Sequence, residues 1–362
     1  MAARGLYIHI PYCVSKCGYC DFTSYTNQWE TVDAYIEALS IEASRYAGCA
    51  ADTVYIGGGT PSCLQIGKIP HLLEAVGKYI AIENNAEITI EANPNSLTAQ
   101  KAAEYYAAGI NRLSIGLQAV QPELLRSIGR KHVYEDFLHA LDGAVASGFS
   151  NISADLMYSL PGQTVEQAAQ SAAAVAALPV THISAYALRL EPGTPMYGMP
   201  QPDEEQDRAM FYAMLSEFSS QGFSRYEISN FAKSGYECQH NLKYWREEEY
   251  IGLGVAAHSY YQGFRYGNTD DIAAYIEAMH SNGVSEISRE AADVAFETIM
   301  LRTRLKEGIP MSMLPNTDKM QQFISMLVKN QFAECKNGRM FLTNLGMDIH
   351  NTIVLELTER LS

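Results

Sequence analysis

Short apolar runs alternate with amphipathic stretches through the first half of this chain, and that alternation restricts its fold more than any other feature. Strands are predicted at residues 6–10, 53–56, 87–91, 112–117, 151–157 and 182–188. Helices are predicted between them at 32–46, 66–79, 98–108, 134–147 and 165–177. Each strand leads into a break containing glycine or proline and then a helix. Such β–α alternation implies a parallel sheet with right-handed crossovers. Six units are fewer than the eight of a closed barrel. The fold class expected is therefore α/β, a partial six-stranded (β/α)6 barrel, with an open doubly wound sheet as the alternative.

The pattern changes after Glu191-Pro-Gly-Thr-Pro195. A helix is predicted near 204–221, and residues 224–268 are then aromatic and irregular. The last segment reads as helix, helix, hairpin, helix. Its strands, at 332–335 and 340–342, flank Lys336-Asn337-Gly338, where Asn-Gly is a strong turn signal. The expected organisation is a core at 1–223, a connecting region at 224–285 and a small winged-helix-like domain at 286–362.

Three cysteines, Cys13, Cys17 and Cys20, follow the first predicted strand within eight residues. A structural zinc site or an ordinary electron-transfer cluster uses four protein ligands. Three soft ligands on one loop suit an iron–sulfur cluster with one iron left open. Zinc with His9 as a fourth ligand is the alternative, and His9 could equally be a core histidine of the strand. The other four cysteines, Cys49, Cys63, Cys238 and Cys335, are scattered and read as free thiols.

The formal net charge of −15 argues against nucleic acid as a partner, since phosphate binding needs a basic face. No apolar run is long enough to span a bilayer, and the few residues before the first strand leave no room for a leader. A cytoplasmic protein with reduced thiols is expected.

Ligands of parallel α/β sheets bind beyond the carboxyl ends of the strands. Here those ends carry the cysteine loop, Gly57-Gly58-Gly59-Thr60-Pro61, Glu91, Gln118, Asp155 and Tyr186. The glycines would let a ligand approach the backbone closely. Each acidic or amide residue alone could be a turn former, but together on one rim they form a polar pocket. Arg130, in Gly-Arg-Lys-His, could pair with a ligand carboxylate. The stretch Cys238-Gln-His240-Asn-Leu-Lys-Tyr244-Trp245 is open to two readings. His240 could be an axial haem ligand with aromatic neighbours packing on the porphyrin, or Asn241 could simply cap a helix whose aromatics enter the core. His258, in the same region, carries the same ambiguity.

These motifs resemble the radical S-adenosylmethionine (SAM) superfamily. Within it, the chain is similar to the group formed by the oxygen-independent coproporphyrinogen III oxidases and their haem-chaperone relatives. The resemblance spans nearly the whole chain. It rests on Tyr7-Ile-His-Ile-Pro, Cys-x3-Cys-x2-Cys, Gly-Gly-Gly-Thr-Pro-Ser, Glu-Ala-Asn-Pro, Ser-Ile-Gly-Leu-Gln, Gly-Arg-Lys-His, Asp-Leu-Met-Tyr-Ser-Leu-Pro-Gly-Gln-Thr, Glu-Pro-Gly-Thr-Pro-Met-Tyr and His-Asn-Leu-Lys-Tyr-Trp. It implies a [4Fe–4S] cluster on Cys13, Cys17 and Cys20 and SAM at the open iron. Gly58, Gly59 and Thr60 would hold the methionyl end, and Tyr7, Tyr19, Glu91, Gln118, Arg130 and Asp155 would complete the site.

Two departures favour the haem-chaperone branch over the decarboxylating oxidases. Phe22 stands where those oxidases have a further cysteine, and only six residues precede Tyr7. That branch implies haem held by His240, a haem-acceptor protein, and an electron donor such as a flavodoxin or ferredoxin. The alternatives are a coproporphyrinogen III dehydrogenase and an anaerobic haem-degrading methyltransferase. One position departs from the family pattern: Ser159 stands where glycine is expected.

Overall fold

The computed structural model describes residues 3–361. Six parallel strands alternate with helices: β1 (Arg4–Ile10), α1 (Val32–Ser44), β2 (Ala50–Gly58), α2 (Lys68–Gly77), β3 (Ala81–Ala92), α3 (Ala99–Ala107), β4 (Arg112–Gln118), α4 (Pro122–Ser127), α5 (Tyr134–Ala146), β5 (Asn151–Tyr158), α6 (Val165–Ala176) and β6 (His182–Ala187). These strands lie side by side in chain order. A doubly wound sheet reverses its strand order at a switch point; here there is none. Side chains from β2, β3, β4, β5 and β6 line one shared cavity, which requires the sheet to curl on itself. The architecture is a partial barrel.

Local sequence explains the elements. β4 is buried along its whole length, as expected for a parallel strand covered on both faces. α1 buries Val32, Tyr35, Ile36, Leu39 and Ala43, an apolar stripe at helical spacing. Thr164 starts α6 with a capping box: its hydroxyl accepts from the Gln167 N–H at 3.2 Å, and the Gln167 side chain accepts from the Thr164 N–H at 3.0 Å. The short helix α4 was not anticipated; it starts with proline at its first turn, directly after the cavity-facing end of β4.

Beyond β6 come α7 (Glu204–Ser220), β7 (Ser224–Arg225), β8 (Asn230–Ala232), α8 (Gln239–Trp245), β9 (Tyr250–Leu253), β10 (His258–Tyr261), β11 (Phe264–Asn268), α9 (Ile272–Ser281) and β12 (Glu286–Ala291). The aromatic segment is thus more regular than its sequence indicates. β9 pairs in parallel with β1, and β10, β11 and β12 extend that edge in antiparallel fashion. Among the described residues the sheet has twelve strands, in the order β12-β11-β10-β9-β1-β2-β3-β4-β5-β6-β8-β7. The sheet therefore continues past residue 285.

The remaining elements are α10 (Val294–Arg302), β13 (Ile309–Pro310), α11 (Asp318–Lys329), β14 (Ala333–Lys336), β15 (Arg339–Leu342), α12 (Asn344–Asp348) and α13 (His350–Thr358). They enclose a second apolar core that includes Ile299, Met320, Phe323, Leu327, Met340 and Leu357. The predicted Asn-Gly hairpin is β14–β15, and the three strands with their helices are winged-helix-like. Ion pairs fasten this body to the barrel: Arg208–Asp348 at 3.0 Å, Arg246–Glu307 at 2.8 Å, Arg302–Glu247 at 2.8 Å and Arg304–Glu227 at 3.0 Å.

Candidate functional site

The barrel interior holds a cavity of about 660 Å³, within the range of small-molecule and cofactor sites. Cys13, Cys17, Cys20, Tyr19, Gly58, Gly59, Thr60, Glu91, Gln118, Arg130 and Asp155 all line it. The curled sheet thus gathers residues up to 142 positions apart in the chain, from Cys13 to Asp155.

The cysteine loop is braced from below. The Gly18 N–H donates to the Ile128 carbonyl at 3.3 Å, and the Met196 N–H donates to the Gly18 carbonyl at 3.0 Å. A Cβ on Gly18 would stand 2.9 Å from the Met196 side chain, so the Glu-Pro-Gly-Thr-Pro-Met-Tyr segment clamps the loop through backbone contact. The Cys13 thiol lies 3.4 Å from the Thr60 hydroxyl. Burial raises the pKa of Cys20, and the neighbouring Cys17 and Cys13 add to that.

The glycine run is required by packing. Gly58 has φ +110°, and a Cβ there would strike the His9 ring at 2.5 Å. A Cβ on Gly59 would sit 2.8 Å from the Tyr12 carbonyl. The sequence reading assigned this bareness to ligand approach, but the protein's own atoms already occupy the space.

Glu91 accepts from the Tyr55 hydroxyl at 2.8 Å and from the Gly58 N–H at 3.1 Å. Burial pushes its pKa up to about 7; Tyr55 opposes that rise and Asp155 reinforces it. Asp155 accepts from the Ser114 hydroxyl at 3.0 and 3.1 Å and from Ser153 at 3.3 Å, and burial raises its pKa too. Arg130 donates to the Tyr19 hydroxyl at 3.0 Å, while its buried Nε has no partner among the described residues. Gln118 sits at φ +74°, where β4 slips register against β5. A non-glycine residue held there is strained, which turns its side chain out of the strand's regular course.

These donors suit the cofactors the motifs imply. An unpartnered buried guanidinium N–H awaits an acceptor such as a carboxylate, and two buried carboxyls can receive ammonium or hydroxyl donors. The three thiols share one wall. Among the described residues, no three His, Cys, Asp or Glu side chains converge as one metal ion requires. A single zinc ion needs every donor about 2 Å from one point, whereas a four-iron cluster spreads its ligands over separate metals. His9 does not serve as a fourth ligand. Its Nε2–H donates to the Thr23 carbonyl at 2.9 Å, and its Nδ1 accepts from the Tyr7 hydroxyl at 2.9 Å.

Two expected residues lie elsewhere. Tyr7 borders a second space beside the barrel; it pairs in register with Tyr55 and stacks on it with ring centroids 6.3 Å apart, and its hydroxyl is bonded to His9. His240 is fully buried and borders neither cavity. Its Nδ1 lies 2.9 Å from the Thr53 hydroxyl and its Nε2 lies 2.8 Å from the Tyr244 hydroxyl. Burial lowers its pKa to about 3, with Lys243 adding to that. Ligation of iron by His240 would first require breaking one of these bonds.

Sequence reasoning passed over Tyr55, Arg112, Ser114 and Ser184, which also line the barrel cavity. Arg112 is deeply buried at its floor, and its Nε and Nη1 have no partner among the described residues. Strand alternation was the available signal: Arg112, Ser114 and Gly116 share one face of β4, so polar residues at those positions point inward. The second space is a groove of about 870 Å³ beside the barrel. Tyr244, Trp245, Tyr250, His258, Phe296 and Met300 line it, and Asp21 and Phe22 belong to both spaces.

Comparison with known proteins agrees with this arrangement. Residues 7–175 match the family model of the radical SAM superfamily. The heme chaperone HemW of Bacillus subtilis is 38% identical over 291 residues, 77% of each chain. The HemW of Lactococcus lactis is 31% identical over 360 residues, covering 96% of this chain and 95% of the relative. That of Escherichia coli is 34% identical over 365 residues, covering 94% and 96%. Among solved structures, coproporphyrinogen III oxidase (HemN) from Escherichia coli, a radical SAM enzyme, superposes with a TM-score of 0.87. It covers 98% of this chain and 90% of its own at 22% identity, a likeness of fold.

Proposed function

The chain belongs to the haem chaperone family of the radical SAM superfamily, and from that premise we propose that it binds haem and passes it to an acceptor protein. A [4Fe–4S] cluster and SAM occupy the barrel cavity. The observation that carries this reading is the single cavity uniting the cysteine trio with Gly58, Gly59, Thr60, Glu91, Gln118, Arg130 and Asp155.

In this reading Cys13, Cys17 and Cys20 would hold the cluster, which, when bound beside SAM, would supply one-electron reduction of the sulfonium. The protein orients and shields. The backbone of Gly58 and Gly59, with Thr60, flanks the methionyl end. Arg130, with its unpartnered Nε, faces the carboxylate. Glu91 offers a buried carboxyl to the amino group, and burial with Tyr55 fixes its position. Asp155, held by Ser114, and the strained Gln118 receive the nucleoside hydroxyls. Tyr19, tied to Arg130, closes the side nearest the loop. The apolar cluster of Leu124, Leu125, Ile128, Leu160 and Met196 beneath the loop keeps water from the reacting end.

The electron comes from an outside donor such as a flavodoxin or ferredoxin. The place of action is the cytoplasm, where thiols stay reduced; no described helix is long and apolar enough to cross a membrane. Phe22, in place of a further cysteine, weighs against the decarboxylating oxidases, as do relatives named as chaperones across nearly the whole chain. The test is anaerobic reconstitution with iron and sulfide, then optical titration with haem in the presence and absence of SAM. Uptake of haem and its transfer to an apo acceptor are expected. Conversion of coproporphyrinogen III to protoporphyrinogen IX would assign the chain to the oxidases. Loss of the tetrapyrrole with SAM and reductant would assign it to haem degradation.

A further inference from the structure

We propose that haem seats in the outer groove beside the barrel with His258 as its axial iron ligand, while His240 acts from behind the wall as a positioning residue. This rests on the haem-binding reading above and adds the place and the ligand.

The two spaces differ in what they can accept. The barrel cavity, about 660 Å³, contains the thiols and the polar groups assigned to SAM. The groove, about 870 Å³, is walled by Tyr244, Trp245, Tyr250, Phe296 and Met300. Flat aromatic and thioether surfaces suit the face of a macrocycle. The groove is open on one side, so a planar ligand can enter edge first.

Four histidines stand near these spaces. His132 lines the barrel cavity and not the groove, with its Nε2 2.9 Å from the Leu117 carbonyl, and ring nitrogens decide among the other three. Both nitrogens of His9 are engaged, and so are both of His240. His258 lines the groove and is exposed, and its ring makes no hydrogen bond among the described residues. A neutral imidazole with a free nitrogen is the common iron ligand. β10 fixes its backbone, since His258 pairs with Gly267 of β11. Gly267 leaves room for the ring: a Cβ there would stand 2.8 Å from the His258 Cε1.

Charge and an orphan donor add to this. Asp21, Glu290, Asp293 and Glu297 border the groove, and Arg265 is taken up by Glu297 at 2.8 and 2.6 Å. A negative surround suits the positively charged core of ferric haem and turns its propionates toward the open side. Trp245 lines the groove, and its indole N–H is buried without an acceptor among the described residues.

His240 contributes indirectly. Its Nε2 holds the Tyr244 hydroxyl at 2.8 Å, and its ring stands edge-on to Tyr244 with centroids 5.0 Å apart. The motif thus presents Tyr244 and Trp245 to the groove and keeps its histidine behind them.

The experiment is titration of the full chain with ferric haem, read by the Soret band and by magnetic resonance of the iron. His258→Ala should lose the histidine-ligated spectrum and weaken binding tenfold or more, and added imidazole should restore the spectrum. His258→Gln serves if the alanine variant misfolds and should behave alike. His240→Ala and Tyr244→Phe should keep the histidine-ligated spectrum while affinity falls a fewfold. If His258→Ala and His258→Gln keep the wild-type spectrum and His240→Ala loses it, the proposal is overturned and the chaperone reading stands. If the wild-type chain takes up no haem, both fall.

Discussion

The barrel cavity and the outer groove lie on either side of the same strand, β1, yet they are built by different means. The cavity draws side chains from the ends of parallel strands whose order and register are locked by a continuous ladder. Its carboxylates, Glu91 and Asp155, are buried and held by named donors. The groove is assembled from α8, from the short strands β9 to β12 and from α10. It lies at a seam that ion pairs fasten, including Arg246–Glu307 and Arg302–Glu247. A locked ladder gives a site fixed geometry for chemistry. A seam held by ion pairs gives a site that can open and release a large ligand, since such contacts re-form at little net cost.

The sharpest test of this separation is Cys13→Ala. It should abolish cluster absorbance and SAM binding on reconstitution, while haem affinity changes less than about threefold. Equal loss of both ligands would show that the two spaces act as one. The pH response tests the electrostatic contrast. His240 has a folded pKa near 3, below its ordinary value, so its contribution to stability is complete above about pH 6.5 and is lost as pH falls toward 3. His240→Phe should remove that loss, about 5 kcal/mol in difference profiles of urea unfolding. Glu91 behaves in the opposite sense. Its folded pKa is raised to about 7, so its contribution is complete below about pH 4.5 and is lost as pH rises through 7. Glu91→Gln should flatten that fall, about 3 kcal/mol.

At the seam, Glu227 is fully buried and accepts from Arg304 at 3.0 Å, from the Ser229 N–H at 2.8 Å and from the Asn230 side chain at 2.5 Å. Arg304 also stacks over Trp245 at 4.4 Å. Glu227→Ala should cost about 3 kcal/mol by chemical denaturation, because it leaves a largely buried cation unpaired. It should weaken haem binding and leave SAM binding unchanged; the reverse pattern would break the comparison. The smallest effect is expected at Ser159, which sits at φ +58° with its hydroxyl unpartnered among the described residues. Ser159→Gly should stabilise the chain by about 1 kcal/mol, seen as a higher Tm.

The parallel half of the fold was legible because buried strands read as apolar runs and their helices carry apolar stripes and caps. The doubt over Ser159 proved informative: its backbone is left-handed, which is why glycine is the expected residue there. The strands β7 to β12 were illegible. They are two to six residues long, β9 and β11 carry an internal glycine, and β9 has its parallel partner β1 far back in the chain, so alternation has no length in which to appear. The barrel site was legible where a motif sits at a strand end. It was missed where a polar residue hides inside a strand, as with Arg112 and Ser114. Motif match alone did not separate Tyr7, which borders the groove, from the residues of the barrel cavity, nor did it show that His240 is fully buried.

Asp21 and Phe22 form a partition between two compartments. Any rearrangement of that partition on loading one side alters the free energy of loading the other, and thermodynamics makes the influence mutual. If SAM tightens the hold on haem ~10-fold, haem must tighten the hold on SAM by the same factor, about 1.4 kcal/mol in each direction. A two-residue divider of this kind makes release of the larger cargo readable from the affinity of the smaller one.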